Sequence, residues 1–229
     1  MRRLALLLLT STVLIAPGLA QAQDSLPLKP TRVAKFTTTK GTWLSLDVSP
    51  DGQTLVFDLL GDLYTLPITG GTATRITSGL GYDAQPRYSP DGKRIAFISD
   101  RSGGDNIYLA NADGTGIRRV TYGTQGWYVS PEWMPDGNYL VASAAASGFG
   151  TLQLTLYDVE GGTGVALTRT PGPMSYFGAS PSPDGRYVYY ASRRGPWEYN
   201  AAMPQFQIGV YDRNAGTTTT LSARYGSGM

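Results

Sequence analysis

The sequence predicts an all-β fold, a β-propeller made of four-stranded antiparallel blades. The first observation is a repeat: the tripeptide Pro-Asp-Gly occurs four times, at intervals of 40, 45 and 48 residues. The second is that the same series of apolar and turn residues follows each tripeptide. A period of about 40 to 50 residues with four strands per unit is typical of a propeller blade. The tripeptides consist of Pro50, Asp51, Gly52, Pro90, Asp91, Gly92, Pro135, Asp136, Gly137, Pro183, Asp184 and Gly185.

Each Pro-Asp-Gly is predicted to form the turn between the first and second strands of its unit. Proline fixes φ at the first corner, aspartate bonds to nearby backbone, and glycine accepts the left-handed conformation. Serine precedes the tripeptide at Ser49, Ser89 and Ser182, and Met134 takes its place in the third unit. A catalytic carboxylate is expected to be singular, whereas Asp91 has three equivalents. We therefore interpret these aspartates as structural.

The second strand of each unit is an apolar run that starts a few residues after the turn. A strand with one face in water alternates polar and apolar residues, so a continuous apolar run predicts a strand that is buried on both faces, between two neighbouring sheets. A β-sandwich would not explain why one pattern occurs four times. The runs are Leu55-Val56-Phe57, Ile95-Ala96-Phe97, Leu140-Val141-Ala142 and Val188-Tyr189-Tyr190.

The third strand contains an aliphatic residue followed by tyrosine, and the fourth ends with an aliphatic residue before a hydroxyl. A glycine turn lies between them. In the second unit the four strands are predicted near residues 84–88, 94–99, 106–111 and 118–121. The tyrosine pairs are Leu63-Tyr64, Ile107-Tyr108, Leu156-Tyr157 and Val210-Tyr211. The closing pairs are Ile76-Thr77, Val120-Thr121, Leu167-Thr168 and Leu221-Ser222.

Residues 1–22 are predicted to be a signal peptide. Two arginines open the segment, residues 4–15 form an apolar run, and Ala-Gln-Ala at 20–22 offers small residues for cleavage. The apolar run is shorter than the ~20 residues that a membrane helix needs. The chain contains no cysteine, so a lipoprotein anchor has no attachment point. We expect a mature chain that starts at Gln23, is periplasmic or secreted, and has no membrane span after cleavage.

The predicted domain organisation follows from the repeat. Residues 23–40 form an N-terminal extension or a closing strand, because residues 31–38 can supply the outer strand of the last blade. The propeller occupies residues 41–229. Six or seven blades of about 45 residues need roughly 270 to 315 residues, so we expect this chain to be the front part of a longer protein. The blades are expected at about 41–80, 81–125, 126–171 and 172–223, with the start of the next at 224–229.

Composition excludes several classes of function. The chain contains no histidine and no cysteine, which are the usual zinc ligands and the usual bases and nucleophiles of catalytic triads. Without residues 1–22, the nineteen basic residues become seventeen, equal to the seventeen acidic ones. A neutral chain with no block of like charge gives no electrostatic footprint for nucleic acid. We expect no catalytic residue, cofactor or metal in this segment.

The repeat units resemble a known family. VSPDGQTLVFDLLGDLYTLPITGG and YSPDGKRIAFISDRSGGDNIYLANADGTG are similar to the WD-like repeats of TolB-type propellers, and the resemblance extends from Trp43 to the end of the chain. GTWLSLDVSPDGQTLVFDLLGDLYTLPITGGTATRITSG more narrowly resembles the N-terminal propeller of exported proteins that carry an amidohydrolase domain. TolB itself has an α/β domain before its propeller, and the residues between 23 and 43 leave no room for one.

The second resemblance implies a metal-dependent hydrolase that acts on C–N bonds. Its divalent metal would lie in a C-terminal domain beyond residue 229, and none of that family's histidines can be placed on this sequence. The propeller would then be a scaffold, gate or binding module whose partner is the downstream domain. Two alternatives remain open: a non-enzymatic propeller that binds a periplasmic protein, and the gating propeller of a serine peptidase, whose Gly-x-Ser-x-Gly motif is absent from these residues.

Three local motifs invite a binding interpretation, and each has a simpler one. Residues 100–106, DRSGGDN, collect oxygen ligands as a calcium loop does, but their spacing does not match the twelve-residue loop and suits a hairpin. Residues 161–164 are glycine-rich without a following helix or lysine, so phosphate binding is not expected. Aromatic residues either line a ligand channel or belong to the core. They are Trp127, Tyr128, Trp133 and Trp197.

Overall fold

The computed structural model describes residues 32, 34–124, 126–146, 151–168, 174–194 and 206–223. These residues contain sixteen β-strands in four sheets and no helix, which confirms the predicted all-β propeller fold. Each sheet holds four antiparallel strands in chain order. Among the described residues there is no helix that could cross a membrane.

The sheets are the blades, numbered 1 to 4 along the chain. Blade 1 contains β1 Leu46–Val48, β2 Thr54–Leu59, β3 Asp62–Pro67 and β4 Thr74–Arg75. Blade 2 contains β5 Asp83–Tyr88, β6 Arg94–Ser99, β7 Asn106–Asn111 and β8 Arg118–Arg119. Blade 3 contains β9 Trp127–Trp133, β10 Tyr139–Ala145, β11 Gln153–Asp158 and β12 Val165–Ala166. Blade 4 contains β13 Met174–Pro181, β14 Tyr187–Arg194, β15 Gln207–Asp212 and β16 Thr217–Ala223.

The strands of blade 2 lie close to their predicted positions. β6 and β7 have the expected bounds, and β5 begins one residue earlier than expected. β8 ends at Arg119, two residues earlier than expected, and the next residue, Val120, is fully buried. Thr121 is buried as well, and its Oγ1 accepts a hydrogen bond from the backbone N–H of Ile107. Thr77 and Thr168 accept the equivalent bonds from the backbone N–H groups of Leu63 and Leu154 in blades 1 and 3. The closing hydroxyl thus bonds to the backbone of the third strand in these three blades.

Successive side chains of each second strand point alternately toward the preceding and the following side of the blade. In blade 2, Ile95 and Phe97 pack against the preceding blade, whereas Ala96 and Ile98 pack against the following one. The same parity holds in all four blades, because successive side chains of a strand point to opposite faces. The residues on the preceding side are Leu55, Phe57, Ile95, Phe97, Leu140, Ala142, Val188 and Tyr190. Those on the following side include Val56, Ala96, Val141 and Tyr189.

The first strands of successive blades contact one another and form the inner edge of the propeller: β1 contacts β5, β5 contacts β9, and β9 contacts β13. Each of the last three contains a β-bulge. The bulge residue stands five positions before the repeat proline and has a left-handed φ, at Gln85 (55°), Ser130 (52°) and Gly178 (58°). The bulges therefore occur at the same repeat position in blades 2, 3 and 4, and the amides of Gln85 and Ser130 bond outside the regular ladder.

Several expectations fall on residues outside the described ranges. They are the signal peptide at 1–22, most of the segment before residue 34, the start of a further unit at 224–229, and Trp197. Residues 34–40 are described; they are exposed and form no strand. The assignment of residues 31–38 as a closing strand therefore stays a prediction.

Candidate functional site

The predicted turn residues lie at the corner between the first and second strands of each blade. In blade 2 the Ser89 hydroxyl donates to Asp91 Oδ1 at 2.6 Å, and the Lys93 N–H donates to the same oxygen at 3.1 Å. Ser89 Oγ also accepts from the Arg94 N–H at 2.9 Å. The turn glycines share a φ of 69° to 72°, which favours glycine. The turn aspartates thus hold the corner of each hairpin.

Hydrogen bonds shift the protonation of three of these carboxylates. The serine hydroxyl is the main cause that lowers the pKa of Asp51, Asp91 and Asp184, and a backbone N–H two residues on is the second. In the third unit, where Met134 is buried in the core, Asp136 keeps the bond from the Asn138 N–H at 2.9 Å. A carboxylate that is held ionised by its own turn is a poor proton donor at neutral pH.

The calcium-like segment 100–106 is a structural connection. Asn106 is fully buried, and its amide nitrogen donates to the carbonyl oxygens of Gly104 and Gly123. Its Oδ1 accepts from the Thr121 hydroxyl and from the Gly123 N–H, both at 2.9 Å. Because these bonds occupy both ends of the amide, Asn106 joins the loop to the segment that leads into blade 3 rather than offering an oxygen to a metal.

The same end of blade 2 contains a buried ion pair. Arg101 Nη2 lies 2.6 Å from Asp83 Oδ2 and 2.7 Å from Oδ1, and the Asp83 side chain is 1% exposed. The Asp83 N–H donates to the carbonyl of Gly61 in blade 1, and the Asp100 carboxylate accepts from the Tyr82 N–H. These bonds fix the start of the inner strand. The described residues contain no group of three acidic side chains that could hold a metal ion.

The aromatic residues that were considered for a ligand channel differ in how deeply they are buried. Trp133 is buried, its Nε1–H donates to the Arg87 carbonyl at 3.0 Å, and the Arg94 guanidinium lies 4.8 Å from its ring centroid. Tyr128 is half-buried against the core between blades 2 and 3, in edge contact with Tyr157. Trp127 is half-buried at the start of β9. Trp133 is therefore a core residue, and nothing about these rings assigns a ligand.

The inner edge carries a polar network that the sequence analysis did not predict. Asp58, buried in β2, accepts from the Ser45 N–H at 3.0 Å through Oδ1 and from the Gln85 N–H at 2.9 Å through Oδ2. Gln85 Oε1 then accepts from the Ser130 N–H at 2.6 Å. A side chain of one blade thus satisfies the bulge amide of the next, first from blade 1 to 2 and then from 2 to 3.

A row of charges follows the same edge, three positions before each repeat proline. Asp47, Arg87 and Glu132 occupy this position in blades 1 to 3, and Ser180 occupies it in blade 4. Arg87 Nε donates to Glu132 Oε2 at 3.1 Å, and its Nη1 donates to the Leu46 carbonyl at 3.2 Å. Arg87 therefore reaches the inner strands on both sides of its own blade. The Asp47 carboxylate accepts from the Tyr88 N–H at 2.8 Å.

Glu132 is the acid in this row whose protonation is shifted. Burial raises its pKa, while the Arg87 guanidinium and the bond from the Trp133 N–H oppose that rise. The side chains of Arg87 and Glu132 remain 28% and 31% exposed. The arrangement can bind a polar or charged group at the inner edge, and both Glu132 oxygens already accept hydrogen bonds, which suits binding better than proton transfer.

A signal for part of this network was present in the sequence. Asp58 interrupts the apolar run of the first unit at a place where the other units have Ile98, Ser143 and Ala191. A charged residue within an otherwise apolar strand indicates a buried partner. The charge row gives a weaker signal, because its members share a repeat position and no residue type.

Comparison with known proteins identifies a propeller family that this chain matches. The family described as the Tricorn protease N-terminal β-propeller domain matches residues 46–202. An uncharacterised protein of Agrobacterium fabrum is 33% identical over 157 residues, which cover 62% of this chain and 53% of that protein. A Tricorn-like protease C-terminal subunit of Sulfurisphaera tokodaii is 27% identical over 150 residues, which cover 65% of this chain and 17% of that protein.

The solved structure of TolB from Acinetobacter baumannii is 26% identical with a TM-score of 0.57, and the match covers 75% of this chain and 41% of that one. The chain thus spans about half of the Agrobacterium protein and less than a fifth of the Sulfurisphaera protein.

Proposed function

The chain belongs to the family of Tricorn protease N-terminal β-propeller domains, and on that premise we propose that it is the propeller module of an exported hydrolase. In this proposal the module receives or guides the substrate, and a separate catalytic domain performs the hydrolysis. A peptidase is the favoured class of parent protein, because a Tricorn-like protease subunit is among the similar proteins.

The observation that carries the proposal is the inner edge. Arg87 and Glu132 stand on adjacent inner strands, each about one-third exposed, and they offer one positive and one negative group at the same height. An extended peptide presents backbone amides, carbonyls and charged termini to such an edge. The chain contains no histidine or cysteine, and the pKa values of Asp51, Asp91 and Asp184 are lowered by bonds within their own hairpins, so the reaction is assigned to another domain.

An amidohydrolase parent is the second candidate. It is supported by the resemblance of residues 41–79 to propellers that precede a metal-dependent amidohydrolase domain, and it would use the same inner edge for a different C–N substrate. A third candidate, a TolB-like module that binds a periplasmic protein without catalysis, is supported by the 26% identity to TolB. Export is proposed on the composition of residues 1–22.

The first test is an activity assay on the purified chain. Chromogenic peptides and N-acyl amino acids are supplied with and without zinc, and no turnover is expected. Turnover that disappears in Glu132→Gln would overturn the assignment of catalysis to another domain.

The second test measures binding of a fluorescein-labelled, unstructured peptide by anisotropy. Arg87→Ala should weaken binding several-fold because it removes the positive group and releases Glu132. Arg75→Ala is the control, since this arginine lies on the outer strand β4 and makes an exposed ion pair with Asp62. Equal binding by the two variants, with thermal unfolding to verify that both fold, would contradict a role for the inner edge.

A further inference from the structure

The first two junctions between blades satisfy a bulge amide in the same way. At the junction of blades 1 and 2, the Asp58 carboxylate accepts from the Gln85 N–H at 2.9 Å. At the junction of blades 2 and 3, the Gln85 carboxamide oxygen accepts from the Ser130 N–H at 2.6 Å. In both cases the earlier blade supplies a carboxylate or carboxamide oxygen to the bulge of the next.

The junction of blades 3 and 4 has the same bulge but different side chains. Its bulge residue is Gly178, with a φ of 58°. In blade 3, Ser143 stands at the repeat position of Asp58, and Ser130 stands at that of Gln85. A serine hydroxyl is attached directly to Cβ and extends less far than a carboxylate or a carboxamide. Among the described residues, no side chain accepts a hydrogen bond from the Gly178 N–H.

Ser143 is a second donor at this junction. It is fully buried, and its Oγ has no hydrogen-bond partner in the described part of the chain. Val141, two residues earlier on the same face of β10, belongs to the core cluster that blades 3 and 4 share, so the Ser143 side chain also points toward blade 4. A buried hydroxyl without a partner costs free energy, which an acceptor bound beside it would recover.

Charges along the inner edge do not oppose an anion here. The row of charges continues in blade 4 with Ser180, which carries no charge. Glu132, the acid of the row in blade 3, forms an ion pair with Arg87. Hydrogen bonds to an ionised acceptor are stronger than those to a neutral one. Two donors without a free acid of the row beside them therefore suit a carboxylate.

We propose that the junction of blades 3 and 4 binds the carboxylate of a ligand, with one oxygen on the Gly178 N–H and the other on the Ser143 hydroxyl. The bound group takes the place that Asp58 has at the junction of blades 1 and 2, where its carboxylate also accepts two hydrogen bonds. The inference goes beyond the proposed function, because a small carboxylate binds at this junction whether or not a peptide follows the inner edge.

Titration of the ¹⁵N-labelled chain with sodium acetate tests the site by NMR, with the ionic strength held constant by sodium chloride. The Gly178 amide proton should move downfield and saturate, because it gains an ionised acceptor. Acetamide is the matched neutral probe and should cause little change. Equal shifts with both probes would overturn the assignment of a carboxylate, and no shift with either probe would overturn the site.

A pair of serine substitutions tests the second donor. Ser143→Ala should weaken acetate binding about tenfold, which corresponds to the loss of one hydrogen bond to a charged group. Ser89→Ala is the matched control, since Ser89 is also a fully buried serine but bonds to Asp91 in the turn of blade 2. This control should bind acetate as the wild type does. Equal affinity of Ser143→Ala and the wild type would exclude Ser143 from the site.

Ser143→Asp tests the position of the bound group, because it supplies the carboxylate from the protein as Asp58 does in blade 1. The Gly178 amide proton of this variant should lie downfield without any ligand and should no longer respond to acetate. Thermal unfolding verifies that the variant is folded. A folded Ser143→Asp in which the Gly178 resonance keeps its wild-type position and its response to acetate would contradict the proposal.

Discussion

Blades 1 and 2 contain the same aromatic pair in two different environments. Phe57 stacks on Tyr64 with ring centroids 5.7 Å apart, and Phe97 stacks on Tyr108 at 5.8 Å. The residue types, the repeat positions and the geometry are alike. Phe97 is nevertheless fully buried between two blades, whereas Phe57 is only partly covered, because no blade precedes it among the described residues. The comparison teaches that burial in this fold depends on the neighbouring blade more than on the sequence of the blade itself.

Ion pairs of blades 2 and 4 also differ in burial. In blade 2, Asp83 and Arg101 form a pair whose acid is almost wholly buried. In blade 4, Arg186 Nη2 lies 2.8 Å from Asp212 Oδ2, but this pair is on the surface. The Asp83 pair is therefore shielded from water, whereas the Asp212 pair is in contact with it.

Truncating the two phenylalanines is the most direct test of this difference in burial. Phe97→Ala should lower the free energy of unfolding by about 3 to 5 kcal/mol, the usual cost of removing a large buried side chain. Phe57→Ala should cost less, about 2 kcal/mol, because part of its surface is already in contact with solvent. Denaturant unfolding of both variants measures the difference. Equal losses would mean that Phe57 is covered in solution as well as Phe97 is.

The second prediction concerns the ion pairs. Asp83→Ala should destabilise the protein by about 3 kcal/mol, since it leaves the largely buried guanidinium of Arg101 without its partner. Asp212→Ala should cause a much smaller loss, because its pair is exposed and screened by salt. Thermal unfolding at low and high salt distinguishes the two sites. A loss at Asp83 that vanished in high salt would show that its pair is accessible to water.

The smallest expected effect lies in the turns. Ser89 is fully buried, and Ser89→Ala should cost about 1 kcal/mol through two lost hydrogen bonds. Ser49, in the exposed turn of blade 1, makes the same bonds, and Ser49→Ala should cost less. The substitution should also raise the pKa of Asp91, because the serine hydroxyl is the main cause that lowers it. Carbon-detected NMR titration of the carboxyl groups measures this change.

The sign of the pH dependence follows from that shift. The pKa of Asp91 is lower in the folded chain than in the unfolded chain, so its contribution to stability is present above the unfolded value and is lost as the pH falls through the folded one. Asp51 and Asp184 act in the same direction. Acid unfolding of Ser89→Ala should therefore show a weaker dependence on pH than the wild type. An unchanged dependence would mean that Asp91 does not contribute to it.

Much of the fold could be predicted from the sequence because the repeat is local. A turn of four residues and an apolar run of three or four suffice to place a hairpin, and the predicted strands of blade 2 differ from the observed ones by at most two residues at any end. The alternation of Ile95, Ala96 and Phe97 between the two faces of β6 follows from the pleat of a β-strand. The predicted blade boundaries, the total number of blades and the role of residues 31–38 remain predictions.

The inner edge could not be predicted in the same way. Asp58, Gln85 and Ser130 lie 27 and 45 residues apart along the chain, and their bonds form only when the bulges of consecutive blades reach the same height. No local pattern requires Arg87 to reach both Leu46 and Glu132. The calcium-like segment 100–106 illustrates the converse, since its composition suggested a ligand and its contacts show that Asn106 is a connector.

The sequence by itself determined the structure of the blade. It placed the turn at each Pro-Asp-Gly, the doubly buried second strand, the tyrosine of the third strand and the closing hydroxyl. Each of these features depends on residues that are close in the chain. The tertiary structure decided what lies between blades. It selected which aromatic pair is fully buried, and it aligned Asp47, Arg87 and Glu132 along one edge. The physical reason is that hairpin chemistry acts over a few residues, whereas burial and charge pairing depend on sheets brought together from distant parts of the chain.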